Sequence, residues 1–158
     1  MSVNRIIAGL ALCAASLAHA QTPATPDGLI RQLSVEVIDT VKSDKAIQAG
    51  DLNKIISLVD SKVMPHVNFQ RMTASAVGRH WRGATPEQQK KLQDEFKTLL
   101  VRTYAGALTQ VKDQSVQLKP LRAAAEDTEV VVRTEIKGKG EPIQLDYRLE
   151  KTPAGWKI

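Results

Sequence analysis

Cysteine is all but missing from this chain. The single one, Cys13, falls inside an apolar N-terminal stretch, and residues 14–158 contain none. Disulfides therefore cannot hold the fold, and thiolate catalysis and cysteine–zinc sites are excluded. Aromatics are also sparse, with Phe 2, Tyr 2 and Trp 2. No Lys/Arg stripe is interleaved with them, as a nucleic-acid groove would need, so nucleic acid is not an expected partner. Also lacking is a hydrophobic run of the roughly twenty residues that a membrane span requires.

What stands at the N-terminus is an address. Met1–Arg5 carries a positive charge, Ile6 to Leu17 is apolar and small, and Ala18-His19-Ala20 is the A-x-A pattern of a cleavage site. Residues 1–20 read as a secretory signal peptide, cut before Gln21. Leu12, large where lipoprotein processing wants a small residue, argues against a lipid anchor on Cys13. Removing the first 20 of 158 residues leaves 138, enough for one domain, 21–158, with a real core. Arg5 is the only formal charge lost, so the net charge falls from +5 to about +4. A balance this mild fits weak attraction to anionic head groups or an acidic partner, or solubility alone.

Along the chain, Leu29, Leu33, Val37 and Val41 recur at helical spacing, and Ile55, Ile56, Val59 and Val63 repeat the theme after Gly50-Asp51 up to Pro65. Asn68 can cap a third helix carrying Phe69, Met72, Ala76, Val77 and His80-Trp81, closed by Gly83. Thr85-Pro86-Glu87-Gln88 is a capping box with proline in the first turn. From there Leu92, Phe96, Leu99, Leu100, Tyr104, Leu108 and Val111 hold a helical period over more than five turns. Past Val111 the period falls to two. Val116 and Leu118 alternate with polar residues, as do Val130, Val132, Thr134 and Ile136, then Ile143, Leu145, Tyr147 and Leu149. Lys137-Gly-Lys-Gly and Pro153–Gly155 are the turns, and Trp156-Lys157-Ile158 opens a further strand. Helices first and antiparallel strands afterward predict an α+β domain with the N-terminal helices packed on the apolar face of a C-terminal sheet. A strand that stops on an apolar residue without turn or cap is expected to be cut short.

Catalytic patterns do not form. His66 and His80 have no third ligand at metal spacing, so no metal site is expected. Asp94 and Glu95 diverge on one helix, and Asp146 and Glu150 face solvent on a strand, so neither pair is held across a cleft. Ser57, Ser61 and Ser75 lack a nucleophile elbow, and Gly78, Gly83 and Gly106 make no phosphate loop. The chain does not read as an enzyme. The greasy side of the long helix, Phe96, Leu99, Leu100, Tyr104 and Leu108, is either ordinary core or the wall of a cavity that holds something apolar.

The run VMPHVNFQRMTASAVGRHWRGATPEQQKKLQDEFKTLLVRTYAGAL, residues 63 to 108, resembles the MlaC family of periplasmic phospholipid-binding proteins, also called toluene-tolerance proteins. Pro65-His66-Val67-Asn68-Phe69, Val77-Gly78-Arg79-His80-Trp81-Arg82, the Thr85–Gln88 cap and Phe96–Tyr104 carry the likeness. Weaker similarity runs on to Ile158, past which the family's pattern continues with another strand and a helix. The resemblance implies helices and a strongly curved sheet around a deep apolar cavity that takes both acyl chains of a phospholipid. It implies a monomer in the periplasm with no cofactor besides its cargo. Its partners would be an outer-membrane lipoprotein–porin complex and the inner-membrane Mla ABC transporter, with the chain shuttling lipid between them.

A two-chain lipid has roughly thirty methylenes at about 0.8 kcal/mol each, so on the order of 20–25 kcal/mol opposes its passage through water. A carrier must replace nearly all of that contact, which predicts a lining near the large end of the usual ~300–1,000 Å³ range. The lining candidates are Phe69, Met72, Trp81, Phe96, Leu99, Leu100, Tyr104 and Leu108 from helices, with Val130, Val132, Leu145 and Tyr147 from the sheet. Each is otherwise simple core. Tyr104 is the sharpest choice, because its ring can lie along a tail while its hydroxyl reaches a polar mouth. Arg79, Arg82 and Arg102 are the cations offered to the phosphate. The competing readings are a small α+β enzyme that works on a hydrophobic molecule with a carboxylate base, and a structural envelope module whose interior is filled by its own side chains.

Overall fold

A computed structural model describes residues 25–158; the proposed signal peptide and Gln21–Ala24 lie outside the described residues. Helix α1 (Pro26–Ser43) starts where Thr25 Oγ1 accepts from the Gly28 amide at 3.2 Å, with proline in the first turn. Its buried stripe is Leu29, Ile30, Leu33 and Val41. Asp44 then caps a short helix that the periodicity does not announce, α2 (Lys45–Gln48), and Asp51 caps α3 (Leu52–Leu58). The apolar period after Gly50-Asp51 does run on toward Pro65, but as a widened π turn (Val59–Val63) and a 3-10 turn (Met64–His66).

Asn68 caps α4 (Phe69–Val77) as expected, with its side chain accepting from the Arg71 amide. The helix does not continue to Gly83. Gly78 takes φ +67°, a backbone state that a side chain resists, and residues Gly78–Gly83 coil as a 3-10 segment instead. Helix α5 (Pro86–Thr109) follows the capping box on both arms, Gln88 N to Thr85 Oγ1 at 3.3 Å and Thr85 N to Gln88 Oε1 at 2.9 Å.

Among the described residues, four strands form one curled antiparallel sheet in the order β1 (Ser115–Leu118), β2 (Glu129–Lys137), β3 (Ile143–Thr152), β4 (Gly155–Lys157). The register sets Val130 opposite Leu149, Val132 opposite Tyr147, Thr134 opposite Leu145 and Ile136 opposite Ile143, so the alternating apolar residues share a face. That face is covered at one end only. Leu29 and Ile30 of α1 pack there with Val130, Val132, Leu149 and Trp156, while Ile143 and Leu145 stay 58% and 38% exposed.

A second core lies among the helices, built from Val41, Ile47, Ile55, Leu58, Val101 and Ala105. The fold is therefore α+β, with α1 as the helix laid along the sheet and α3, α4 and α5 packed chiefly on other helices. The last residue ties the halves together. Ile158 N donates to His66 O at 2.9 Å and Asn68 N donates to Ile158 O at 2.8 Å.

Candidate functional site

Between α3, the π and 3-10 turns, α4 and α5 runs an open groove of about 310 Å³. One wall is α5, with Leu100, Tyr104, Ala107 and Leu108 on one stripe and the core residues Val101 and Ala105 at its base. The other wall is Ile55, Val59, Val63, Met64, Val67, Phe69 and Met72. Phe69 continues into a stack with Phe96, ring centroids 5.7 Å apart and 25° between planes, which braces α4 against α5. Thr73, fully buried behind Phe69, is satisfied by its bond to Phe69 O at 2.7 Å. Among the described residues, Lys97 is the only charged one lining this groove.

The twelve residues offered as lining thus divide by location. Phe69, Met72, Leu100, Tyr104 and Leu108 border the groove. Phe96 stands behind it in the stack with Phe69. Val130 and Val132 are buried in the α1–sheet core, where Tyr147 packs beside them. Leu99 is 60% exposed on another side of α5, Leu145 lies on the uncovered end of the sheet, and Trp81 is half-buried in the 3-10 segment. The groove is also smaller than expected, because the sheet contributes nothing to its walls. Val59, Val63 and Met64 of the turns and Val67 just past them complete it; the signal for Val59 and Val63 was the apolar period before Pro65, which does not say which way a π turn faces.

A second cleft of about 350 Å³ lies between α4 and β3 and shares Met72 with the groove. Its floor holds Tyr147, Leu149 and Ile158, but its rim is polar. Arg71 bridges Glu150 and Glu129, the latter at 2.7 Å, and Asn68 Nδ2 donates to Glu150 Oε1 at 2.5 Å. The Arg71 hydrogen bond and charge hold the Glu129 carboxyl below its usual range, and the two carboxylates in turn raise Arg71. Burial pushes the Tyr147 phenol up, opposed by hydrogen bonding to Thr134 and Ser34. A third, broad depression carries Arg79, His80, Lys91 and Glu95. Of the cations offered to a phosphate, Arg79 lines that depression, and neither Arg82 nor Arg102 borders the apolar groove. Among the described residues no cluster of three metal-ligating side chains occurs, and no helix is long and apolar enough to cross a membrane.

Comparison with known proteins bears on this geometry. Residues 31–158 match the family model described as MlaC protein. The intermembrane phospholipid transport system binding protein MlaC of Haemophilus influenzae is 22% identical over 138 residues, covering 85% of this chain and 64% of that protein. The toluene tolerance protein ttg2D of Pseudomonas putida is 24% identical over 135 residues, covering 85% of this chain and 63% of that one. The chain therefore spans somewhat under two thirds of the length of these curated relatives. A phospholipid-binding protein from Ralstonia solanacearum, solved in complex with a phospholipid, superposes with a TM-score of 0.79 at 52% identity, over 81% of this chain and 72% of that one. With the greater part of its length matched by the family model, this chain belongs to the MlaC family.

Proposed function

We propose that this chain is a periplasmic phospholipid carrier that shelters acyl chain in the groove along α5 and moves lipid between an outer-membrane complex and an inner-membrane ABC transporter. The observation that carries the reading is a concave, almost wholly apolar surface on which, among the described residues, Lys97 is the single charge. An open apolar groove is unfavourable in water, at roughly 25 cal/mol per Å² left exposed, unless a ligand covers it. The solved relative at 52% identity supports the class of ligand, since that protein was found with a phospholipid bound. Secretion of the carrier by the signal peptide of residues 1–20, and its docking to the transporter and to the lipoprotein–porin complex, belong to the same proposal.

The enzyme alternative requires a carboxylate base with a raised pKa in an apolar site. The carboxyls with displaced titration, Glu36, Glu87, Asp94, Glu129 and Glu135, are all lowered, each chiefly by a hydrogen bond. None of them lines the apolar groove.

The test is cargo. Protein expressed with its own signal peptide and purified from a bacterial periplasm is expected to carry phospholipid near one molecule per chain, read by mass spectrometry of a solvent extract. Leu100→Arg and Tyr104→Asp place charge on the groove wall and are expected to lower occupancy at least tenfold, since burying an unpaired charge costs more than 1.4 kcal/mol, while circular dichroism keeps the wild-type shape. Folded protein with no lipid, or variants with undiminished occupancy, would overturn the reading.

A further inference from the structure

Lys97 stands in a position where α5 calls for a leucine. Lys97, Leu100, Tyr104 and Leu108 form one stripe at spacings of three and four, and all four line the groove. Over the distance from Lys97 to Leu108 the helix rises about 16 Å, so the cation stands at one end of an apolar track. Its stem adds to the greasy wall while its ammonium leaves at the rim, where Nζ donates to Asp60 Oδ1 of the π turn at 2.8 Å. The lysine side chain is 26% exposed and the aspartate 46%. An ion pair this open contributes little to stability, so stability does not account for a lysine on that stripe.

We propose that Lys97 receives the phosphate of the bound amphiphile. The inference rests on the reading of the groove as a lipid site and adds where the lipid's charged end lies: at the Asp60 end of α5, with the tail running past Leu100 and Tyr104 toward Leu108. Asp60 holds the ammonium in place when the groove is empty. When lipid enters, the phosphate competes with Asp60 for the same N–H donors, and the nearby carboxylate repels it. Head-group binding is thereby attractive but weak, as a protein that must give its cargo away requires. An ammonium is a point charge with rotatable donors, so it accepts a phosphate without demanding the bidentate geometry that an arginine would impose.

The experiment compares probes that share a tail. Affinities of dodecyl phosphate and dodecyl maltoside, each below its micelle concentration, are measured by titration calorimetry on lipid-stripped wild type, Lys97→Met, Asp60→Asn and Lys90→Met. Inorganic phosphate serves as a competitor. Lys90 loses the same charge from α5 but pairs with Asp94 away from the groove. The ratio of phosphate to maltoside affinity is expected to fall about tenfold in Lys97→Met, the strength of one charge-assisted hydrogen bond. It is expected to rise in Asp60→Asn and to hold in Lys90→Met, with inorganic phosphate failing to compete.

An unchanged ratio in Lys97→Met, an equal fall in Lys90→Met, or displacement by inorganic phosphate overturns the assignment and leaves the groove as a lipid site. Wild type that binds neither dodecyl probe removes both the assignment and that reading. Should Lys97→Met fail to fold, Asp60→Asn decides alone: a ratio that does not rise overturns the proposal.

Discussion

His66 closes the 3-10 turn that carries Met64 into the groove wall, and its carbonyl receives the amide of Ile158. Partial burial lowers the imidazole pKa below its ordinary 6.5, the Lys157 charge lowers it further, and Glu36 opposes both. The unfolded chain therefore binds a proton that the native chain resists, and stability rises with pH through this group. The contribution is present above the unfolded pKa near 6.5 and is lost as pH falls below it. The depressed carboxyls act lower, losing their contribution only as pH drops through and below about 4.5. A pH window of ~5.5–7.5 thus isolates the histidine. The urea midpoint is expected to drop as pH falls from the top of that window to the bottom, and by less in His66→Gln; equal drops in the two proteins would assign the effect elsewhere.

At the scale of elements, Gly78 decides where α4 stops. Its φ of +67° belongs to glycine, and a Cβ placed there meets nothing within 4 Å, so the cost of a side chain is backbone strain alone. Gly78→Ala is expected to lose about 1–3 kcal/mol in urea denaturation, and a loss near zero would mean that the 3-10 segment relaxes freely. The same site explains what could be read from sequence. Local signals were legible: the Thr85–Gln88 capping box, the Asn68 cap, and the strand alternation that pairs Val132 with Tyr147. Apolar spacing carried on through Gly78 to Trp81, although Gly78–Gly83 is a 3-10 segment with no buried residue and Trp81 only half-buried, because spacing alone does not register a backbone φ. The facing of each stripe was not legible. Val101 and Ala105 are core, Leu100, Tyr104 and Leu108 are groove, and Leu99 is solvent, all within three turns of one helix. Likewise Leu149 and Leu145 obey one alternation, yet the first is buried in the cluster that Leu29 and Ile30 of α1 form with Trp156, and the second is left open.

Across the whole molecule, two cores share α1, and the apolar groove and the Arg71 cleft lie on either side of α4 with Met72 common to both. Their volumes, about 310 and 350 Å³, each sit at the small end of the range for ligand sites. Under the proposed carrier function, neither alone suits both tails of a phospholipid. Met72 lines both spaces and is 36% exposed, and methionine is the flexible filler of irregular gaps, so the prediction is that a change of its rotamer joins them. One tail would then follow α5 and the other would pass Met72 toward Tyr147 and Leu149. Met72→Trp fills that junction with a rigid ring at a steric cost of about 1–3 kcal/mol. The co-purified lipid is expected to shift from two-chain toward one-chain species by roughly five- to a hundredfold in their ratio, while Met72→Ala leaves two-chain lipid dominant. A Met72→Trp protein that still carries two-chain lipid in the wild-type proportion would mean that the second tail takes a path outside this junction, over the open end of the sheet at Ile143 and Leu145.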